Sequence, residues 1–492
     1  MQHKHTPLLP GIPHRFGRPR VSYLERFRRE VAARSLRQLE DLTALFSPWI
    51  DTSVFAPSST GKNSRMRVFS MEWIFWGFLC QLLGGMGCRG AVKRVQSWAV
   101  SRGRKAPSSN PSAYCQARNR LPLQILHRVF DTTAQRLTTS VHSSELWHGR
   151  RAKAVDGTGL SAADTAQNQA EWPQSGNMKP GCGFPELKLT GLFCLHSGAL
   201  LSWAEGNKHE HELTLWRRLW SRLCPGDVIV GDRAFGSYAC IAALLQLGVD
   251  GVYRLHGARK VDWRKGKRLG RRDRLYVWTR PGHRNQGWTL AQWKQLPEQI
   301  QVRVLKKSIE VPGFRTKNIT LVTTLTDSKE FPAEELADLY RRRWSVEVFF
   351  RDVKITLGMD VLKCHTPEAV RKELIMYLIC HNLLRGMIQH AAHRHNVSVE
   401  RISFQGSAEQ LSHWLWLFMG DQPKAERKRK LDEFYLALVT APLPDRPNRT
   451  EPRVRKRRPK NYRLMTRPRN ARKKEEKTRE GAFLKSTFQT LS

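Results

Sequence analysis

No stretch of this sequence is long and apolar enough to cross a membrane. The most apolar run, Trp73 to Leu83 (WIFWGFLCQLL), covers only residues 73–83, where a span needs roughly 20. No cationic, apolar leader with a small-residue cleavage site opens the chain, so export is not expected. Cysteine is sparse and solitary. The nine cysteines include no CxxC pair, which excludes a zinc ribbon or a disulfide framework and fits buried thiols in a reducing cytoplasm. Internal repeats are lacking as well.

Acid is scarce beside base. Only 43 Asp+Glu stand against 84 Lys+Arg, a formal net charge of +41 over 492 residues. Such an excess argues against a small-molecule enzyme and for a polyanionic partner: DNA, RNA or an anionic membrane. The 40% hydrophobic content is enough to build real cores, so this is no disordered basic chain. The length implies several domains.

Composition divides the chain. Residues 1–147 read as helical, with an amphipathic stretch from Tyr23 to Phe46 and an aromatic segment holding Trp73, Phe75, Trp76 and Phe78, which reads as core. Ser112 to Leu121 (SAYCQARNRL) reads as a basic helix presented outward by a loop. From residue 148 the periodicity becomes strand-like. Lys153 to Thr158 and Val228 to Asp232 are strands, the second a short apolar run ending in an acid; Leu187 to Ala204 folds about Ser197-Gly198 as a hairpin. Residues 257–330 change again, with four tryptophans (263, 278, 288, 293) and β-rich runs, before a helical block over 331–440. Within the remaining 441–492, Pro452 to Arg479 holds 14 Lys+Arg and 2 Glu and so supplies 14 − 2 = +12 of the charge, a candidate arm for a DNA backbone.

Three of the few acids stand out by context. Asp156 lies on one strand, Asp232 ends another, and Glu347 falls in the helix opened by Pro332. Two strand-borne Asp and a helix-borne Glu suit two Mg²⁺ ions, because hard cations take carboxylate oxygen and a metal pair stabilises both oxygens of a phosphodiester displacement. Along the Glu347 helix, Tyr340, Arg343, Glu347 and Lys354 fall on one narrow stripe at about 100° per residue. A stripe with one acid among cations can hold a metal and the phosphates beside it.

The spacing Tyr-x2-Arg-x3-Glu-x6-Lys resembles the Tyr-Arg-Glu-Lys signature of one branch of bacterial insertion-sequence transposases of the DDE class. Asp156-Gly157-Thr158 and Gly231-Asp232-Arg233-Ala234-Phe235-Gly236 resemble that family's blocks around its first and second catalytic Asp, and Ser112 to Leu121 resembles a segment of its N-terminal region. The resemblance implies an α/β fold: a ribonuclease-H-like catalytic core split over 148–256 and 331–440, a β-rich insertion at 257–330, a helical N-terminal DNA-binding region at 1–147 and a basic tail at 441–492. It further implies catalysis and metal binding by Asp156, Asp232 and Glu347, with two Mg²⁺ ions for which Mn²⁺ substitutes. Tyr340, Arg343 and Lys354 would contact DNA. The implied partners are transposon ends and target DNA, bound by a homodimer in a cytoplasmic, nucleoid-associated setting. In related enzymes a tryptophan of the insertion stacks on a flipped base; Trp288 and Trp293 are candidates without a motif to choose between them. The alternatives are a nuclease with the same core and a non-catalytic DNA-binding regulator of the element.

Two tempting motifs fail. His209-Glu210-His211-Glu212 lacks the HExxH spacing, and an i, i+2 histidine pair cannot share a helix face, so zinc is not expected there, although a supporting role near the active site is open. Ser59 to Ser64 resembles a phosphate loop only in its Gly-Lys.

Overall fold

The computed structural model describes residues 45–46, 48–56, 69–101, 105–285, 287–308, 318–417, 424–444, 465–468, 470–471 and 478. The amphipathic stretch before Leu45, the Ser59 to Ser64 segment and most of the basic tail lie outside them.

The described chain is a mixed α/β structure around one large mixed sheet. Its strands are β1 (Ala152–Ala162), β2 (Glu186–Cys194), β3 (Leu200–Gly206), β4 (Val228–Gly231), β5 (Asp250–Arg254), β6 (Lys267–Gly270), β7 (Asp273–Thr279), β8 (Gln299–Ser308), β9 (Asn318–Thr323) and β10 (Val361–Leu362). The spatial order is β3-β2-β1-β4-β5-β9-β8-β7-β6, with β10 beside the end of β1. Strands β1, β4 and β5 run parallel, and the apolar β4 is buried along its whole length, as a strand covered on both faces requires. Strands β2 and β3 form the expected hairpin, turning at Ser197-Gly198 where Gly198 takes φ +72°. Strand β9 joins β5 antiparallel, so the β-rich stretch after residue 257 continues the same sheet.

The helices, numbered α1 to α13, are Met71–Leu83, Cys88–Ser101, Ser112–Arg120, Leu123–Thr139, Ala166–Glu171, Glu212–Arg218, Tyr238–Gln246, Leu290–Gln295, Ala333–Arg341, Trp344–Arg351, Pro367–His395, Phe404–Leu417 and Lys424–Val439. Helix α1 carries the most apolar segment and is buried on almost every side, so the aromatic segment is core. Helix α11 is the spine of the helical layer. Thr366 caps its start by accepting from the Ala369 N–H, Pro367 occupies the first turn, and Asn396 ends it in the left-handed conformation. Helices α1 and α4 pack on it, and Gly386 leaves room for the Trp49 indole, which a Cβ would meet at 2.6 Å.

Helix α3 departs from expectation. It forms over Ser112–Arg120 as read, but Arg118 turns inward, its guanidinium 3.7 Å from the Phe78 ring centroid and bonded to the Cys88 and Cys364 sulfurs. Charge count alone cannot tell an exposed arginine from one lying flat on an aromatic core.

Asn382 shows how α11 holds the sheet edge. From a fully buried position it accepts from the Leu200 N–H and donates to the Leu200 carbonyl, both at 2.9 Å, as a neighbouring strand would. Asn382→Ala leaves two buried backbone groups unpaired and is expected to cost about 2 kcal/mol. Urea unfolding checks this; an unchanged midpoint would contradict it.

Candidate active site

The parallel register places Val155 opposite Gly231, so Asp156 and Asp232 follow each other across neighbouring strands. Each aspartate accepts from the next backbone N–H: Asp156 from Gly157 at 2.9 Å and Asp232 from Arg233 at 2.7 Å. The glycines of the second block serve packing, since a Cβ on Gly236 would meet the Tyr253 Cβ at 2.8 Å.

Glu347 arrives from α10 and meets the sheet through Arg343. One guanidinium nitrogen of Arg343 donates to Asp156 Oδ2 and the other to Glu347 Oε1, each at 3.2 Å. Planar geometry lets one arginine join two carboxylates in this way, where a lysine would serve as a point charge. Arg343 is buried, and burial works against its charge. Nevertheless Tyr340, Asp156 and Asp232 together hold its pKa above the ordinary arginine value. Burial raises the Asp156 carboxyl, and Glu347 and Asp232 push it the same way, while the Gly157 N–H and Arg343 oppose them.

The four stripe residues do come to one region, but not on one straight helix. Helix α9 ends at Arg341, α10 starts at Trp344, and Arg343 stands at the joint. Past Arg351 the chain makes a π-helical turn over Asp352–Thr356, a wider coil that swings Lys354 onto β1. There Lys354 donates to Thr158 Oγ1 at 3.2 Å and to the Gly159 carbonyl at 2.8 Å. Tyr340 is buried, its ring centroid 6.0 Å from the Arg343 guanidinium, and burial raises its phenol pKa.

A fourth carboxylate is not among the acids that the sequence singles out. Glu212, the first residue of α6, lies against Gly157, where a Cβ would stand 2.0 Å from its Oε1. Burial raises its pKa, and Asp156 and Asp232 raise it further. Its signal in the sequence is the HEHE run, which draws attention to the histidines instead. His211 caps α6, its Nδ1 accepting from the Leu213 N–H. Both candidate tryptophans are packed away: Trp288 is 8% exposed between Trp220 and Arg217, and Trp293 is 5% exposed. Among the described residues, no three His, Cys, Asp or Glu side chains are gathered tightly enough to ligate one ion as they stand.

Residues 147–383 match the family described as Transposase DDE domain. Among curated proteins it is similar to the Escherichia coli (strain K12) transposase InsG for insertion sequence element IS4, at 28% identity over 360 residues, covering 72% of this chain and 78% of that protein. A shorter match, 38% identical over 91 residues, links it to the probable transposase for insertion sequence element IS5377 of Geobacillus stearothermophilus, covering 18% of this chain and 24% of the other. A piggyBac transposase synaptic complex with hairpin DNA aligns over 84% of this chain and 86% of its own at 10% identity and a TM-score of 0.40. Among the described residues no helix is long and apolar enough to cross a membrane.

Proposed function

We propose that this protein is an insertion-sequence transposase that cuts element ends and joins them to target DNA, using a ribonuclease-H-like core in which Asp156, Asp232 and Glu347 are catalytic. The observation carrying this reading is the pairing of Asp156 and Glu347 through the Arg343 fork, with Asp232 on the adjacent parallel strand. It draws together, from three distant parts of the chain, acids that all fall inside the DDE domain match.

The donor set fits hard divalent cations. It is made of carboxylate oxygens alone, the donors that such ions prefer. When bound, two Mg²⁺ ions, or Mn²⁺ in their place, would activate the attacking oxygen and stabilise charge on the attacked phosphate. Asp156, Asp232 and Glu347 would hold them. Arg343, now engaged by two of those acids, has the planar donors to take a phosphate of the cleaved end, and its departure removes the wedge between them. Tyr340 and Lys354 flank the same strand end and would contact neighbouring phosphates.

The chemistry is two displacements at phosphorus. In the first, water attacks at the element end and the bond from phosphorus to the 3′ oxygen breaks, freeing a 3′-OH. In the second, that oxygen attacks a target phosphodiester, and a target 3′ oxygen leaves. Two ends must be joined, so the working unit on DNA is a homodimer. A supercoiled plasmid incubated with pre-cleaved end DNA tests the reading: joined product is expected, and hydrolysis without joining would reduce the protein to a nuclease.

The basic tail would grip backbone. Removing 452–479 takes away 14 cationic side chains and is expected to weaken end binding at every sequence. The slope of log affinity against log salt should flatten by about 0.9 for each phosphate that the tail had neutralised. Fluorescence anisotropy over a salt series reads this directly; an unchanged slope would remove the tail from the interface.

A further inference from the structure

We infer that Glu212 is a fourth carboxylate of the catalytic site and ligates divalent metal beside Asp156 and Asp232. The inference rests on the proposed metal-dependent reaction and adds a residue to it.

Three observations converge on Glu212. The first is place. Its carboxylate occupies the space at Gly157 that any side chain would fill, immediately beside Asp156 on β1. The second is charge. Glu212 feels Asp156 and Asp232 as repelling neighbours, and its only attracting neighbour of note is Lys188. The Lys188 ammonium is turned to the Lys208 and Glu210 carbonyls, both at 3.0 Å, and forms no ion pair with Glu212. Third, among the described residues Glu212 has no ion-pair partner, while the other acids of its own segment and of the site are engaged. Glu210 pairs with Arg218, Asp156 and Glu347 pair with Arg343, and Asp232 takes the Arg233 N–H.

A half-buried carboxylate held against two others, without a cation of its own, is unfavourable in the metal-free protein. The fold nevertheless enforces the arrangement. Leu215 and Trp216 of α6 are fully buried and pin that helix, while Gly157 gives up its side chain to make room. A divalent ion would remove the cost, because hard cations take several carboxylate oxygens.

The test is Mn²⁺ binding, read as loss of the free-ion paramagnetic resonance signal, on the full chain without DNA. Glu212→Gln keeps shape and removes charge. It is expected to weaken Mn²⁺ binding at least tenfold while leaving the melting temperature of the metal-free protein unchanged or higher, since one of several like charges is gone. A merely structural glutamate would give the reverse pattern: a lower metal-free melting temperature and unaltered Mn²⁺ affinity. Gly157→Ala, which displaces the Glu212 carboxylate by another route, should weaken Mn²⁺ binding in the same direction. Asp156→Asn distinguishes a wrong ligand from a wrong site. If Asp156→Asn loses Mn²⁺ and Glu212→Gln binds it like the unaltered protein, Glu212 is not a ligand and the metal site stands. If Asp156→Asn also binds like the unaltered protein, the metal site itself is misplaced and the role of Glu212 falls with it.

Discussion

Asp156→Asn, Asp232→Asn and Glu347→Gln are each expected to reduce cleavage at the element end about a thousandfold or more while end binding survives. The size follows from the role. Two-metal sites contribute several kcal/mol of charge stabilisation to a phosphoryl displacement, and each 1.4 kcal/mol is about tenfold in rate. The persistence of binding follows from charge: each substitution makes a strongly basic protein one unit more basic. The three positions also differ in a way that a gel can show. Asn at 156 or Gln at 347 removes one of the two acids that Arg343 bridges, whereas Asp232 acts on that arginine through its field. Mobility-shift titration beside end-cleavage kinetics separates the two properties. Substantial cleavage by the Glu347→Gln protein would overturn the assignment of that residue.

The second large effect concerns stability. Arg385 reaches from the spine helix α11 and donates to Asp352 Oδ2 at 2.6 Å, with side-chain exposures of 7% and 5% for the pair. Its guanidinium lies 4.6 Å from the Phe349 ring centroid and 5.0 Å from that of Phe404. Burial raises the Asp352 carboxyl, and Arg385 holds it down. Arg385→Met strands a carboxylate in the interior and is expected to cost about 3–5 kcal/mol. Adding Asp352→Leu should recover much of that loss, since replacing both ions by apolar groups is often neutral or better. Urea unfolding of the single and double variants completes the cycle. The same pair anchors the π-helical turn two residues before Lys354, so the single variant should lose strand transfer at temperatures where it remains folded. Equal stability of Arg385→Met and the parent would show that the pair is not what fixes that turn.

Much of the fold is legible in the chain because the signals are local. An apolar run ending in an acid is a buried strand whatever surrounds it, and Val228 to Asp232 folds that way. The Ser197-Gly198 hairpin and the β-rich runs that become β8 and β9 also follow from neighbours in sequence. What stays hidden depends on contacts between distant residues. The helical stripe from Tyr340 to Lys354 assumes one continuous helix, and nothing in a 100° periodicity announces the joint at Arg343 or the π turn at Asp352. Arg118 looks like a surface cation because its seat on Phe78 is formed 40 residues away. Glu212 is hidden for the same reason, since its place beside Asp156 is made by the missing side chain of Gly157. Asn382 likewise finds its partner, Leu200, 182 residues away in sequence.

The continuity of the sheet has a consequence for how a duplex can lie on this protein. Five strand-to-strand steps separate β1, which carries Asp156, from β7 in the β-rich stretch. Neighbouring strands rotate by about 20–25° with a fixed hand, so the accumulated turn over those steps is about 100–125°. At that average twist the outer strands would stand roughly crosswise to β1 and β4. A duplex following the outer strands would meet β1 and β4 nearly side-on, and one following β1 and β4 would cross the outer strands as a rail crosses its ties. That angle would be set by one continuous hydrogen-bonded ladder.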